Sequence, residues 1–272
     1  MTYSKNTFTK KKILCLANHI LGGKTFSQNV HEYLSSQDVA HFDYYAIDGS
    51  DFDETLIPFY LQISDSLKSA YIARKKFKDL EINLDDYDAI IFLSYHLAIP
   101  YLGIMKKKPS LICLDSTPRL AHSSNIKFKL SLKKLVNYFA SHILDFFVYR
   151  KLFKRTKLFA CRTNTVQESL TRNYKISSSK MITTYSPLAT ASKRTRPVSV
   201  SNCHFLFIGE DFERKGGDFV IKMFLKHFQD IARLTIVSSN VPEQFCDASS
   251  KIQILKNLDK KEITALMYSA DL

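Results

Sequence analysis

The sequence predicts an α/β protein: a doubly wound domain on a parallel sheet, followed by a second, shorter unit of the same kind. Three observations predict it. Short, continuous apolar runs alternate with stretches of helical spacing, the pattern of buried parallel strands joined by crossover helices. Glycines lie after two of those runs, Gly22-Gly23 near the end of a short loop and Gly209 directly, where a strand turns into a helix. Between the two halves, 186–202 is rich in Ser, Thr, Pro and basic residues without apolar periodicity, and reads as a linker. The expected boundaries are 1–185, 186–202 and 203–272.

Each element follows from local pattern. Lys12 to Ala17 is a buried strand after a basic tail, and Asn18 to Lys24 is a loop. Thr25 to Leu34 has helical spacing, with Phe26, Val30 and Leu34 on one face. Phe42 to Ile47 is the second strand, Asp48 to Phe59 an acidic loop, and Leu61 to Leu80 a helix. Tyr87 to Ser94 is a continuous apolar strand, and a short helix begins at Pro100 and runs to Met105. Ser110 to Leu114 is the next strand. Lys127 to Lys157 is a long helical region in which Ile143, Phe147, Leu152 and Phe153 are expected to cover the sheet, with a basic back. Leu158 to Cys161 and Lys180 to Tyr185 are strands around a helix, Asn164 to Tyr174, that an Asn or Thr caps.

In the second unit Cys203 to Ile208 is a strand that runs into Gly209 and a charged turn. Gly216-Gly217 then opens an amphipathic helix, Asp218 to Phe228. Arg233 to Ser239 and Lys251 to Leu255 are strands, and Asp259 is the N-cap of a helix that runs to Ala270.

Composition narrows the function classes. There is no run of 18 or so apolar residues, so no membrane-spanning helix is expected. The polar N-terminus lacks the apolar centre of a secretory signal. The five cysteines fit neither zinc nor disulfide spacing, and the four that lie in apolar runs read as core thiols in a reducing cytoplasm. The net charge of +13 points to polyanionic partners: nucleotide diphosphates, lipid headgroups or nucleic acid. No nucleic-acid-binding signature is visible, so nucleic acid is not expected. Tight, salt-dependent DNA or RNA binding without nucleotide-sugar affinity would reverse that. The basic helix 127–157 suits peripheral contact with an anionic membrane, on the cytoplasmic face. The rival is a core-packing helix with a solvated back.

Several side chains are candidates for chemistry. Arg214 and Lys215 sit side by side before a helix N-terminus, where cations and backbone N–H groups suit a diphosphate. The bland alternative is a solvated basic turn. Asp115 and His96 follow apolar strands, at the carboxyl ends where open α/β sheets form their ligand crevice. Asp115 is a catalytic or acceptor-binding carboxylate, or the cap of the next segment. His96 is a catalytic group, or a satisfied polar residue. His19 and His122 have only position to recommend them. Gly22-Gly23-Lys24-Thr25 lacks the first glycine of a P-loop, since Asn18 stands there.

The segment IGEDFERKGGDFVIKMF, 208–224, resembles the start of the C-terminal domain of GT-B glycosyltransferases, in particular glycosyltransferase family 4 (group 1). LDSTPRL and the stretch from Cys161 to Leu188 resemble further segments of that family. The resemblance implies a GT-B fold, with a Rossmann-like acceptor-side domain and a partial Rossmann-like donor domain. It implies that Arg214, Lys215, Gly22, Gly23 and Gly209 face the donor phosphates, with Asp115 at a position where many relatives place a sugar-contacting His. Glu210 departs from an Arg common in relatives. The family's paired glutamates would follow SADL, where the sequence ends, so a truncated chain is expected. The implied activity is transfer of a glycosyl group from a nucleotide-sugar to a glycan or lipid-linked acceptor, in cell-surface glycan or glycolipid synthesis, without metal or other cofactor. The alternative is an inactive remnant that binds or scaffolds. Turnover of nucleotide-sugars by the purified chain separates the two.

Overall fold

A computed structural model describes residues 10–19, 23–48, 51, 55, 57–58, 61, 65–124, 143–184, 203–245 and 248–271. The chain divides into two compact units, Met1–Ala189 and Thr190–Leu272.

The first unit holds six parallel strands: β1 (Lys12–Asn18), β2 (His41–Ile47), β3 (Ala89–Phe92), β4 (Ser110–Leu114), β5 (Leu158–Cys161) and β6 (Met181–Thr183). Their spatial order is β2-β1-β3-β4-β5-β6. The helices are α1 (Gly23–Ser35), α2 (Asp65–Asp79), α3 (Tyr95–Ala98), α4 (Pro118–Ser124), α5 (Arg150–Arg155) and α6 (Asn164–Tyr174). β1 is central, and Leu14, Cys15, Leu16 and Ala17 are all fully buried, as a strand covered on both faces requires. On one face, Cys15 and Ala17 pack against Phe26, Val30 and Leu34, the predicted apolar face of α1. Leu14 and Leu16 belong to the larger core, with Phe77, Phe92, Phe153 and Phe159. Strand order reverses beside β1, so the crevice of this sheet lies beyond the carboxyl ends of β1 and β3.

Two expectations fail here. The helix expected from Pro100 begins earlier, at Tyr95, and Ile99–Tyr101 continues it as a 3₁₀ turn with Pro100 in its first positions. His96 therefore lies inside α3. Ile143 and Phe147 are 60% and 67% exposed, while Leu152 and Phe153 are fully buried. A π-turn over Asp145–Tyr149 shifts the helical stripe, so periodicity alone put Ile143 and Phe147 on the wrong face. Gly22, residues 127–142 and the expected linker 186–202 lie outside the described residues.

The second unit has three parallel strands in the order β7-β8-β9: β7 (Cys203–Ile208), β8 (Ala232–Val237) and β9 (Ile252–Leu255). Helices α7 (Gly217–His227) and α8 (Lys260–Ser269) complete it. Phe212, Ile221, Phe224, Leu234 and Ile236 form its core. Asp259 caps α8 as expected, and Glu262 returns the bond to complete a capping box. After α8, Asp271 N–H donates to His204 O at 2.7 Å, and Asp271 Oδ2 accepts from His204 N–H at 2.8 Å.

Candidate functional site

The turn between β7 and α7 is built on an aromatic ring. Phe212 is 2% exposed and sits among the core residues of the second unit. A Cβ at Gly217 would fall inside the van der Waals envelope of that ring, so glycine is required for the close approach. Gly216 has φ 78°, the left-handed region, and is the N-cap of α7. Backbone bonds tighten the turn: Lys215 N–H to Asp211 O, Gly216 N–H to Glu213 O and Gly217 N–H to Phe212 O, at 3.0, 3.0 and 2.8 Å.

This construction holds Arg214 and Lys215 on the outside. Both are exposed. Arg214 Nε donates to Asp211 Oδ2 at 2.5 Å, and its backbone N–H reaches Asp211 Oδ1 at 3.3 Å. The Arg214 bond holds the Asp211 carboxyl below its usual range. The Lys215 stem lies across Gly209, where a Cβ would sit 2.8 Å from Lys215 Cδ. Gly209 thus seats the lysine, and the two predicted residues belong to one feature. No side chain caps α7. Among the described residues, the N–H groups of Asp218 and Phe219 have no backbone acceptor. The end of α7 therefore offers open N–H donors and a positive dipole beside two cations. Asp218 stands in the same turn, 3.5 Å from Lys222 Nζ, and offsets part of that positive field.

The carboxyl edge of the first sheet carries a different set. Gly23 begins α1, His96 is half-buried with its ring 3.9 Å from that of Tyr95, and Asp115 is exposed directly after β4. The cap of α4 is Thr117, whose Oγ1 accepts from Leu120 N–H at 3.4 Å and pairs with Ser169 Oγ at 2.7 Å. Asp115 is thus not the helix cap. His96 and Asp115 share this edge through the adjacent strands β3 and β4.

A network that single-sequence reasoning passed over lies at the ends of β1 and β2. The two strands pair in register, with Asn18 opposite Ile47, so the next residues, His19 and Asp48, become neighbours. His19 Nδ1 is 2.8 Å from Asp48 Oδ1, and Nε2 is 2.7 Å from Tyr44 Oη. An ionised carboxylate only accepts, so Nδ1 carries the proton, and in the neutral ring Nε2 accepts from the Tyr44 hydroxyl. Burial pushes the Tyr44 phenol up to about 12. Asp51 accepts from Asp48 N–H at 2.7 Å and from Lys76 Nζ at 2.6 Å. Burial raises the Asp51 carboxyl, but those two bonds outweigh it and the net shift is downward. The signal was the parallel register, which places the residue after each strand beside its neighbour.

Farther along the edge, the Arg162 guanidinium lies 3.6 Å from the Phe26 ring centroid, and its Nε is buried without a hydrogen-bond partner. Burial raises the Cys113 thiol to about 12 and Cys161 to about 11, so neither is a thiolate nucleophile. Among the described residues, no group of three or more His, Cys, Asp or Glu is placed to hold a metal ion.

No protein-family model matches the sequence, and no curated protein matches it. Solved structures do. A sucrose-phosphate synthase from Thermosynechococcus elongatus superposes with a TM-score of 0.63 at 12% identity, over 96% of this chain and 74% of that one. Phytolacca americana UGT2, complexed with UDP-2-fluoro-glucose and pterostilbene, gives 0.54 at 11% identity, over 93% and 73%. A Listeria monocytogenes protein assigned as a UDP-N-acetylglucosamine 2-epimerase gives 0.53 at 8% identity, over 96% and 73%. The fold is GT-B. At these identities the likeness speaks for the fold alone; an epimerase and transferases share it, so the reaction must be argued from the residues.

Proposed function

We propose that this GT-B protein is a glycosyltransferase of the family 4 kind. It would move a glycosyl group from a nucleotide-diphosphate sugar to an acceptor hydroxyl of a glycan or lipid-linked substrate, in cell-surface glycan or glycolipid synthesis in the cytoplasm. One observation carries this: exposed Arg214 and Lys215 flank a helix start whose first-turn N–H groups of Asp218 and Phe219 are open. A departing diphosphate gains charge as the glycosidic bond breaks, and preorganised donors at that place lower the barrier. Gly209 serves by seating Lys215. Gly23, which begins α1, and Gly22 before it would face the donor phosphates. Asp115 and His96 are the acceptor-side candidates on the first sheet's edge. No metal enters the proposed step, so chelation is expected to leave donor affinity unchanged.

Calorimetry of the purified chain with UDP, GDP and ADP, and with their sugar conjugates, tests this. One nucleotide diphosphate is expected to bind. Arg214→Ala and Lys215→Ala are each expected to weaken it about ten- to hundredfold, the range for a lost hydrogen bond to a charged group. Unchanged affinity in both variants would remove the proposal. Donor binding without any turnover would favour the binding or scaffold alternative.

A further inference from the structure

We propose that Arg162 holds an oxyanion of the acceptor, a phosphate or a carboxylate, at the carboxyl edge of the first sheet. This rests on the reading of that edge as the acceptor side, and it adds the chemical class bound there. Arg162 follows β5 directly, and its N–H donates to Leu114 O at 2.9 Å, which sets it beside Asp115 at the end of β4. Its guanidinium lies 3.6 Å from the centre of the Phe26 ring, and Phe26 stands in the first turn of α1. Phe26 and Cys113 both pack against Cys15 and Ala17, so the cation lies on the sheet face that α1 covers. Its charge acts on the Cys113 thiol, where it opposes the upward push of burial. The crevice of this sheet opens beyond β1 and β3, and α1 leaves from β1, so the Phe26 contact brings the cation to the crevice.

This arginine lacks what a structural one has. Its Nε is buried without a hydrogen-bond partner. Among the described residues, the Lys ion pairs of the first unit belong to Lys10, Lys11, Lys12 and Lys76, and no acid pairs with Arg162. A buried donor without an acceptor is costly, and a fold that keeps one calls for a role. Stacking on Phe26 fixes the plane of the guanidinium and dries one of its faces. The in-plane N–H fork is what a planar pair of oxygens binds, and carboxylates and phosphates carry such a pair. The residue is half-buried, so a ligand reaches it from solvent. An arriving oxyanion supplies the countercharge that the fold leaves out.

Calorimetry of the purified chain with glucose 6-phosphate, glucuronate and geranyl phosphate tests this, with glucose as the uncharged control. At least one of the three anions is expected to bind, and glucose about tenfold more weakly or worse. The anion held most tightly names the source: a soluble sugar phosphate, a sugar acid or a lipid phosphate. Arg162→Gln is expected to weaken that binding about ten- to hundredfold, the range for a lost hydrogen bond to a charged group. Arg162→Lys keeps the charge without the fork and is expected to weaken it about fivefold. Arg172→Gln removes the same charge from an exposed place on α6, and the affinity should stay at the wild-type value. Melting temperatures check the folding of each variant. A residue that only packs on Phe26 would lower the melting temperature when replaced and leave anion binding as it was, which would overturn the proposal. So would the absence of binding by all three anions, or glucose binding as tight as theirs. If Arg162→Gln does not fold, unchanged anion binding by Arg162→Lys overturns the proposal in its place. None of the probes carries a nucleotide. A chain that binds a nucleotide diphosphate but none of the three anions therefore keeps the transfer reading and loses this site.

Discussion

The two units begin alike, with a strand, a glycine-bearing loop and a helix, yet their polar groups end in opposite states. After β1 and β2, His19, Asp48, Tyr44, Asp51 and Lys76 satisfy one another within a partly buried network. After β7, the cations stand exposed, Arg214 has one local acid, and no side chain bonds the helix start. A ligand entering the first place must replace bonds already made, while one arriving at the second replaces only water. The contrast favours the proposal that places a diphosphate at the second unit's turn.

The comparison breaks most sharply at Phe212. If the open turn is shaped by this ring, Phe212→Ala should lower stability by about 3–5 kcal/mol, the usual loss for a buried phenylalanine. Urea unfolding followed by circular dichroism measures it. A loss under about 1 kcal/mol would mean that the turn keeps its shape by other means, and the placement of Lys215 over Gly209 would need another cause.

A smaller effect is expected at the closed network. Asp48→Ala leaves His19, whose side chain is only 13% exposed, without its acceptor. The cost of an unsatisfied, largely buried donor is about 1–3 kcal/mol. His19→Gln should cost less than Asp48→Ala, because an amide can still donate to the carboxylate. If both changes cost nothing measurable, the network is not a closed one, and the contrast between the units fades.

The contrast was only half legible in the sequence. The α/β alternation, the central burial of Leu14 to Ala17 and the Asp259 cap follow from local pattern, because apolar runs and caps are set by near neighbours. The turn at 209–217 was legible as a motif, but the ring beneath Gly217 was not: residue types do not say which side chain fills the space over a glycine. The His19–Asp48 pair depends on the register of two strands 29 residues apart in their end positions, a long-range fact. Ile143 and Phe147 were assigned to the core because periodicity finds an apolar stripe without knowing where the sheet lies, and the π-turn rotates that stripe. The run from Tyr87 to Ser94 reads as one strand because it is apolar throughout, yet β3 ends at Phe92 and α3 begins at Tyr95, so His96 follows the strand inside a helix.

The smallest expected effect concerns acid and sits on β7. His204 is 5% exposed, with Nε2 2.8 Å from Thr235 Oγ1, Nδ1 3.4 Å from Ser269 O and from Arg233 Nη2, and Asp271 close by. Burial lowers its pKa below the ordinary 6.5, the Arg233 charge adds to that, and the Ser269 carbonyl and Asp271 oppose it. The unfolded chain therefore takes up this proton at a higher pH than the folded unit. The contribution of neutral His204 is fully present above pH 6.5 and is lost as pH falls through the folded pKa. The slope for one proton is at most about 1.4 kcal/mol per pH unit. The depressed carboxyls of Asp43, Asp51 and Asp211 lose their contributions only below the ordinary 3.8, so a fall that begins just below pH 6.5 belongs to the histidine. Urea midpoints measured on descending from neutral pH should fall for the wild type and stay flatter for His204→Gln. Arg233→Gln should also flatten the curve, because it removes a cation that opposes protonation. A wild-type midpoint that holds steady through this window would show that His204 is as readily protonated in the folded unit as in the unfolded chain.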